Sequence, residues 1–254
     1  MNTVIHSQHE NWLRNITLFL SSQTISLFGS SLVQYAIMWY ITLTTESGIM
    51  MTLYILCGFI PTFLLSPVAG VWADRYNRKL LIMISDGMIA FSTLILAILF
   101  LMGFDSIWLL FVIAAIRALG TGIQTPSVGA ILPQIVPKDK LTKVNGINGS
   151  IQAIIMFVSP MVSAALLGFA TIEVIFFIDV ITAAIAIITL LALKIAVHEK
   201  VAEKQTTSYF GDFKAGLLYV KNHEFLKTFF LFFVAIFVLL EPAELFKSLR
   251  LPCS

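Results

Sequence analysis

Charge is what this chain has least of. Asp, Glu, Lys and Arg together make up 12% of its 254 residues, about half the share usual in a soluble domain. A chain so short of polar side chains cannot cover a water-soluble globule. The two signs nearly cancel, at sixteen Lys and Arg against fourteen Asp and Glu, so there is no basic footprint and no nucleic-acid partner is expected. Cysteine is nearly missing too. Cys57 lies inside an apolar run and Cys253 close to the C-terminus, which excludes both a disulfide framework and a zinc pattern. The four histidines, His6, His9, His198 and His223, stand outside the long apolar runs and without metal-ligand spacing. With no intramembrane Ser/His or His/Asp constellation either, the reading is not an enzyme, with no metal and no cofactor. What the chain does have is apolar mass: 58% hydrophobic residues and a mean hydropathy of +0.93. It reads as an all-α integral membrane protein.

About 30 Å of hydrocarbon requires about 20 apolar residues at 1.5 Å per residue. Six stretches qualify: Leu18–Leu43, Ile49–Ala73, Leu80–Met102, Ile107–Ser127, Ile147–Phe169 and Ile172–Ile195. A seventh run, Phe225–Leu240, is short by this measure. Three regions follow: a six-helix transmembrane bundle over 1–196, a central loop over 197–227, and a partial seventh helix with an abnormal tail over 228–254. Within the loop, Phe210, Phe213, Leu217 and Val220 recur at helical spacing. That suits an amphipathic helix on the membrane surface or an ordinary linker helix equally well.

The cations alternate sides. Arg14 precedes the first span; Arg75, Arg78 and Lys79 follow the second; Lys138, Lys140 and Lys143 follow the fourth; a further group follows the sixth. The intervening loops Thr45–Gly48, Gly103–Ser106 and Ala170–Thr171 hold no Lys or Arg. Positive loops stay inside, so the expectation is a multi-pass protein of the cell (inner or plasma) membrane with a cytoplasmic N-terminus, its lipid bilayer the first partner.

Charges within spans are expensive and point to function by default. Arg117 lies ten residues into the fourth span, about 15 Å deep, too far to snorkel out. It must meet a partner, water or an anionic group, in a functional or a structural pairing. Asp86 and Asp179 lie about 9 and 10 Å into the third and sixth spans; each reads either as a proton-titrating carboxyl or as a buried packing hydrogen bond. Gln34, Gln124 and Gln152 either line a polar cavity or bond a neighbouring helix. Gly120 and Pro126 punctuate the fourth span, as residues of helices that pack closely or kink do.

The most specific string is Gly70-Val-Trp-Ala-Asp74-Arg75-Tyr-Asn-Arg78-Lys79, in which Asn77 is placed to cap the third helix. It resembles the loop signature Gly-x-x-x-Asp-Arg-x-x-Arg-Lys of the major facilitator superfamily. Arg117-x-x-Gly120 with Pro126, then Leu132-Pro133-x-x-Val136-Pro137 and Leu141-x-x-x-Asn145, is similar to the fourth helix and following loop of that superfamily's twelve-helix bacterial drug exporters of the macrolide-efflux type. The resemblance covers residues 12–240. It implies the N-terminal six-helix bundle of the major facilitator fold plus a partial seventh helix.

It further implies a cytoplasmic gate motif of Gly70, Asp74, Arg75, Arg78 and Lys79, and a coupling or cavity role for Arg117. The function implied is proton-coupled export of small hydrophobic compounds such as macrolide-type antibiotics, with protons and a small hydrophobic substrate as partners. Because such transporters place their site between two six-helix bundles, the chain is expected to be truncated and inactive alone, its C-terminal bundle missing. The alternative is a non-transporting membrane interaction protein, or a half-transporter that assembles with a partner bundle in trans.

Overall fold

The computed structural model describes residues 12–193 together with Thr228 and Phe232. The chain divides into two units, 1–204 and 205–254, and the architecture below is that of the first. The expected amphipathic loop helix and the seventh run lie outside the described residues, Thr228 and Phe232 excepted.

Six long helices follow one another, and no strand occurs among the described residues. They are α1 (Trp12–Thr45), α2 (Gly48–Arg75), α3 (Arg78–Leu101), α4 (Ile107–Ile135), α5 (Leu141–Phe169) and α6 (Ile172–Ala192), with a 3₁₀ turn at Lys138–Lys140 before α5. All six are long and apolar enough to cross a membrane.

Three helices outrun the apolar stretches that announce them. The first begins at Trp12 rather than Leu18, the fourth runs to Ile135 rather than Ser127, and the fifth begins at Leu141 rather than Ile147. Hydropathy ends where polar residues begin, whereas backbone hydrogen bonding continues into water or headgroups. At 34 residues α1 is about 50 Å long, well beyond the hydrocarbon thickness. Pro126 and Pro133 lie within α4, where neighbouring helices hold a membrane helix together past a missing N–H. The sixth helix stops at Ala192, capped by Leu193, short of Ile195.

Packing follows a definite pattern. The first helix lies against α6 and α5, the fourth against α2 and α3, and α3 reaches across to α6. Two apolar clusters fill the interior. One gathers Leu32, Ile37, Ile41, Leu96, Phe100, Leu110 and Phe176, with Phe100 edge-on to Phe176 at 5.6 Å between ring centroids. The other, toward the end that bears the basic loops, gathers Ile16, Phe19, Ile82, Ile131, Leu132, Val144 and Leu190. Burial is uneven. Half of the most apolar stretch of α3 and of α4 is buried, but only 6% of that of α2 and 17% of that of α5. In hydrocarbon such faces are tolerated, because lipid tails are as apolar as the side chains.

The loop between α2 and α3 is built as a set of helix caps. Asn77 is the N-cap of α3, its Oδ1 accepting from the backbone N–H of Lys79 (3.0 Å) and Leu80 (3.4 Å), as its place in the string predicts. The Arg78 guanidinium donates to the carbonyl of Ala73 (2.8 Å) near the end of α2 and to that of Ala130 (3.0 Å) in α4. Lys79 reaches the far side of the bundle, donating to the carbonyls of Leu193 (2.8 Å) and Leu191 (3.3 Å) at the end of α6. Cations suit these places because helix C-termini leave carbonyls unpaired and carry partial negative charge.

Candidate functional site

Between the two apolar clusters runs a polar interior with two levels. The upper level centres on Arg117 of α4 and Asp179 of α6. Arg117 Nη1 lies 2.5 Å from Asp179 Oδ2, and Nη1 also donates to Thr93 Oγ1 of α3. Its Nη2 donates to the backbone carbonyl of Ser30 in α1 (3.0 Å). Asp179 is fully buried and both its oxygens are occupied. Oδ1 accepts from Ser30 Oγ (2.8 Å), and Oδ2 accepts from Arg117 and from Thr93 Oγ1 (2.9 Å). Four helices therefore meet at one ion pair, which gives each of two charges, costly in hydrocarbon, its counter-charge.

The lower level centres on Asp86 of α3. Its Oδ1 accepts from Ser26 Oγ of α1 (3.0 Å) and from Gln124 Nε2 of α4 (2.5 Å). Gln23, also buried on α1, borders the same carboxyl. Both levels draw on α1, α3 and α4, and the upper adds α6: Ser26 and Ser30 are one turn apart on α1, Asp86 and Thr93 two turns apart on α3, Gln124 and Arg117 two turns apart on α4. On α3 and α4 the separation is about 10 Å along the axis. It is filled by Ile89, which presses on Gly120: a methyl group at Gly120 would stand 2.6 Å from Ile89 Cγ1. Close packing of α3 on α4 thus depends on that glycine.

The structure brings together some of the residues singled out from the sequence and leaves others apart. Arg117, Asp179, Asp86, Gln124 and Gly120 converge in this interior. Gln34 and Gln152 do not join it; both side chains are exposed, on α1 and α5. Pro126 is half-buried in α4. In the loop motif, Arg78 and Lys79 cap helices as described, and Asp74 is 79% exposed and 3.7 Å from the Arg78 guanidinium. Gly70 borders open space, since a methyl group there would meet nothing within 4 Å. The bundle itself therefore gives no steric reason for that glycine.

Four members of the polar interior, Gln23, Ser26, Ser30 and Thr93, were not anticipated. Their signal was the spacing of 23, 26 and 30 on α1, intervals of three and four that put small polar residues on one face. No cluster of His, Cys, Asp and Glu suited to a metal occurs among the described residues. Apart from this interior, a cleft of about 830 Å³ separates the first halves of α1 and α5, with Leu20, Ile25, Ile147 and Ile151 on its walls and Lys140 and Lys143 beside it.

Six membrane-length helices around an ion-paired interior, with basic caps at one end, define a multi-pass membrane protein. The chain belongs to the Major Facilitator Superfamily, whose family model matches residues 16–251. It is 34% identical over 188 residues to Macrolide efflux protein A of Streptococcus pyogenes, a match covering 74% of this chain and 46% of that protein. The protein of the same name from Enterococcus faecalis is 36% identical over 140 residues, covering 55% and 43%. The Staphyloferrin A transporter of Staphylococcus aureus is 26% identical over 210 residues, covering 81% and 51%. The chain spans about half the length of the curated relatives it matches.

Proposed function

We propose that this bundle is the N-terminal half of a proton-coupled exporter of small hydrophobic compounds, macrolide-type antibiotics among them, and that it transports only with a second six-helix bundle. The observation that carries the reading is the similarity to Macrolide efflux protein A in two species, confined to about half of each relative. The sparse burial of α2 and α5 supports it, since two apolar helices with little of their own bundle to pack on leave faces for a second one. A cleft of about 830 Å³ lies in the size range of drug-sized ligand sites, and its mostly apolar walls match a hydrophobic substrate.

In this reading the end that bears Arg75, Arg78, Lys79, Lys138, Lys140 and Lys143 is cytoplasmic. Gly70, Asp74, Arg75, Arg78 and Lys79 form a gate there. The open space beside Gly70 and the exposed Asp74 carboxylate supply the close-approach surface and the charge that an opposing bundle would engage. Arg117, with Gly120 and Pro126, belongs to the coupling machinery; Gln34 and Gln152, both exposed, line the route between the halves. A second six-helix bundle, the substrate and the protons are the partners, and the cell membrane is the location.

The test is an efflux assay in a susceptible host that lacks its own macrolide pumps. The chain alone should leave radiolabelled erythromycin accumulation unchanged. Co-expression with the C-terminal half of Macrolide efflux protein A should lower accumulation, and a protonophore should abolish that difference. Energy-dependent efflux by the chain alone, or none with any partner half, would overturn the proposal.

A further inference from the structure

Two pairs of neighbouring helices run the same way, α2 with α4 and α1 with α5, and they pack differently. The first pair is closed. Thr62 Oγ1 of α2 donates to the Ala118 carbonyl of α4 (2.9 Å), and a methyl group at Gly122 would stand 3.4 Å from Thr62 Cα. The second pair meets in its later halves, where Ser163 Oγ donates to the Leu32 carbonyl (3.0 Å). Its first halves part around the cleft of about 830 Å³.

That cleft is graded in polarity from mouth to floor. At the mouth stand Lys140 and Lys143, one turn apart and so on one side of the chain, with Trp12 across from them on α1. Asp139 lies 3.3 Å from Lys140 in an exposed pair; among the described residues no acid pairs with Lys143. Deeper in, the walls are Leu20 and Ile25 facing Ile147 and Ile151, and the hydroxyl of Thr24 is turned back onto the Leu20 carbonyl (2.6 Å). From Lys143 to Ile151 is about 12 Å along the axis, close to the roughly 15 Å of one leaflet's hydrocarbon. Cations and an aromatic ring above an apolar slot one leaflet deep match an anionic headgroup above an acyl chain.

The cleft also points away from the exposed polar side of α5. At about 100° per residue, Lys143, Ile147 and Ile151 share one side of that helix, and Asn145, Gly149 and Gln152 the opposite one. A second bundle seated on the Gln152 side would leave the cleft open to the bilayer.

We infer that the cleft between the first halves of α1 and α5 is a site for an anionic phospholipid, its phosphate held by Lys140 and Lys143 and one acyl chain lying between the two helices. The inference goes beyond export: a hydrophobic substrate that used this cleft would have to displace the lipid.

Native mass spectrometry of the full chain, purified in detergent with equal amounts of phosphatidylglycerol and phosphatidylcholine, tests this without any transport, so the result stands apart from the export reading. Phosphatidylglycerol should be retained preferentially, by about fivefold for each lysine that contributes. Lys140→Gln with Lys143→Gln should erase the preference. Lys138→Gln removes an exposed cation that does not line the cleft and should leave it. Ile151→Trp, which fills the slot and keeps both lysines, should lower retention, and soluble glycerol phosphate should not compete. Equal retention of the two lipids, a loss with Lys138→Gln as large as with the double variant, or retention indifferent to Ile151→Trp would each overturn the inference. So would displacement by glycerol phosphate, since the acyl chain would then add nothing.

Discussion

The Arg117–Asp179 pair makes a quantitative demand on the bundle. Asp179→Ala leaves the guanidinium of Arg117, 9% exposed, without its counter-charge in the membrane interior. Breaking a buried pair from one side costs about 3–5 kcal/mol. Arg117 keeps two neutral acceptors, Thr93 Oγ1 and the Ser30 carbonyl, so the lower end of that range applies. A loss of about 3 kcal/mol is more than a hundredfold in the folded-to-unfolded ratio.

Removing both charges, as Arg117→Met with Asp179→Val, should behave quite differently. Apolar replacement of a buried pair is often neutral or stabilising, and the double variant should lie within about 1 kcal/mol of the original chain. Equilibrium unfolding in bicelles, followed by circular dichroism and fitted for the single and double variants, measures each term and their coupling. If the double variant is less stable than Asp179→Ala alone, the pair is not what makes the single substitution costly, and the account of the upper level fails.

Two further predictions rest on separate contacts. Gly120→Ala should lower stability by about 1–3 kcal/mol through overpacking, because its methyl would stand 2.6 Å from Ile89 Cγ1; adding Ile89→Ala should recover part of the loss in the same unfolding assay, and an additive double variant would count against the contact. Arg78→Ala should cost about 1.5–3 kcal/mol as its charged hydrogen bonds to Ala73 and Ala130 are lost, whereas Asp74→Ala, an exposed partner 3.7 Å away, should cost under about 1 kcal/mol in the isolated chain; equal losses in thermal unfolding would contradict the capping role.

How much of this was legible beforehand differs from feature to feature. All six helices are visible as apolar runs, because a bilayer span writes itself into composition. Their ends are not: Trp12–Thr17, Val128–Ile135 and Leu141–Gly146 remain helical beyond the apolar stretch, held by backbone hydrogen bonds that hydropathy does not register. Arg117 plainly needed a partner, but naming Asp179 required knowing that α4 and α6 approach a common point with α1 and α3, which pattern along one helix does not tell. Gln124 bonds Asp86 of a neighbouring helix, whereas Gln34 and Gln152 share its chemistry but are exposed. The serines and threonine of the interior were hidden by their ordinary habit. Many hydroxyls in this bundle, such as Thr24, Thr42, Ser85 and Ser127, bond the carbonyl four residues back in their own helix. Only the third dimension separates Ser26 and Ser30 from them.

The same ion pair bears on how the chain is made. Arg117 is synthesised 62 residues before Asp179, an interval of about 3–12 s at 5–20 residues per second. During that time α4 must enter the bilayer carrying a cation without its counter-ion, at about 2.5–3.5 kcal/mol on insertion scales. Its Leu, Ile, Phe and Val residues each contribute about −0.3 to −0.6 kcal/mol, and nine of them between Ile107 and Ile123 roughly offset that penalty. The sixth helix is the most apolar of the set, at a mean hydropathy of 2.7 against 1.7 for α4, and so readily carries its acid in. A nascent chain halted between the two helices would hold an orphan guanidinium in the bilayer, so the arrival of α6 is the step that supplies its counter-ion.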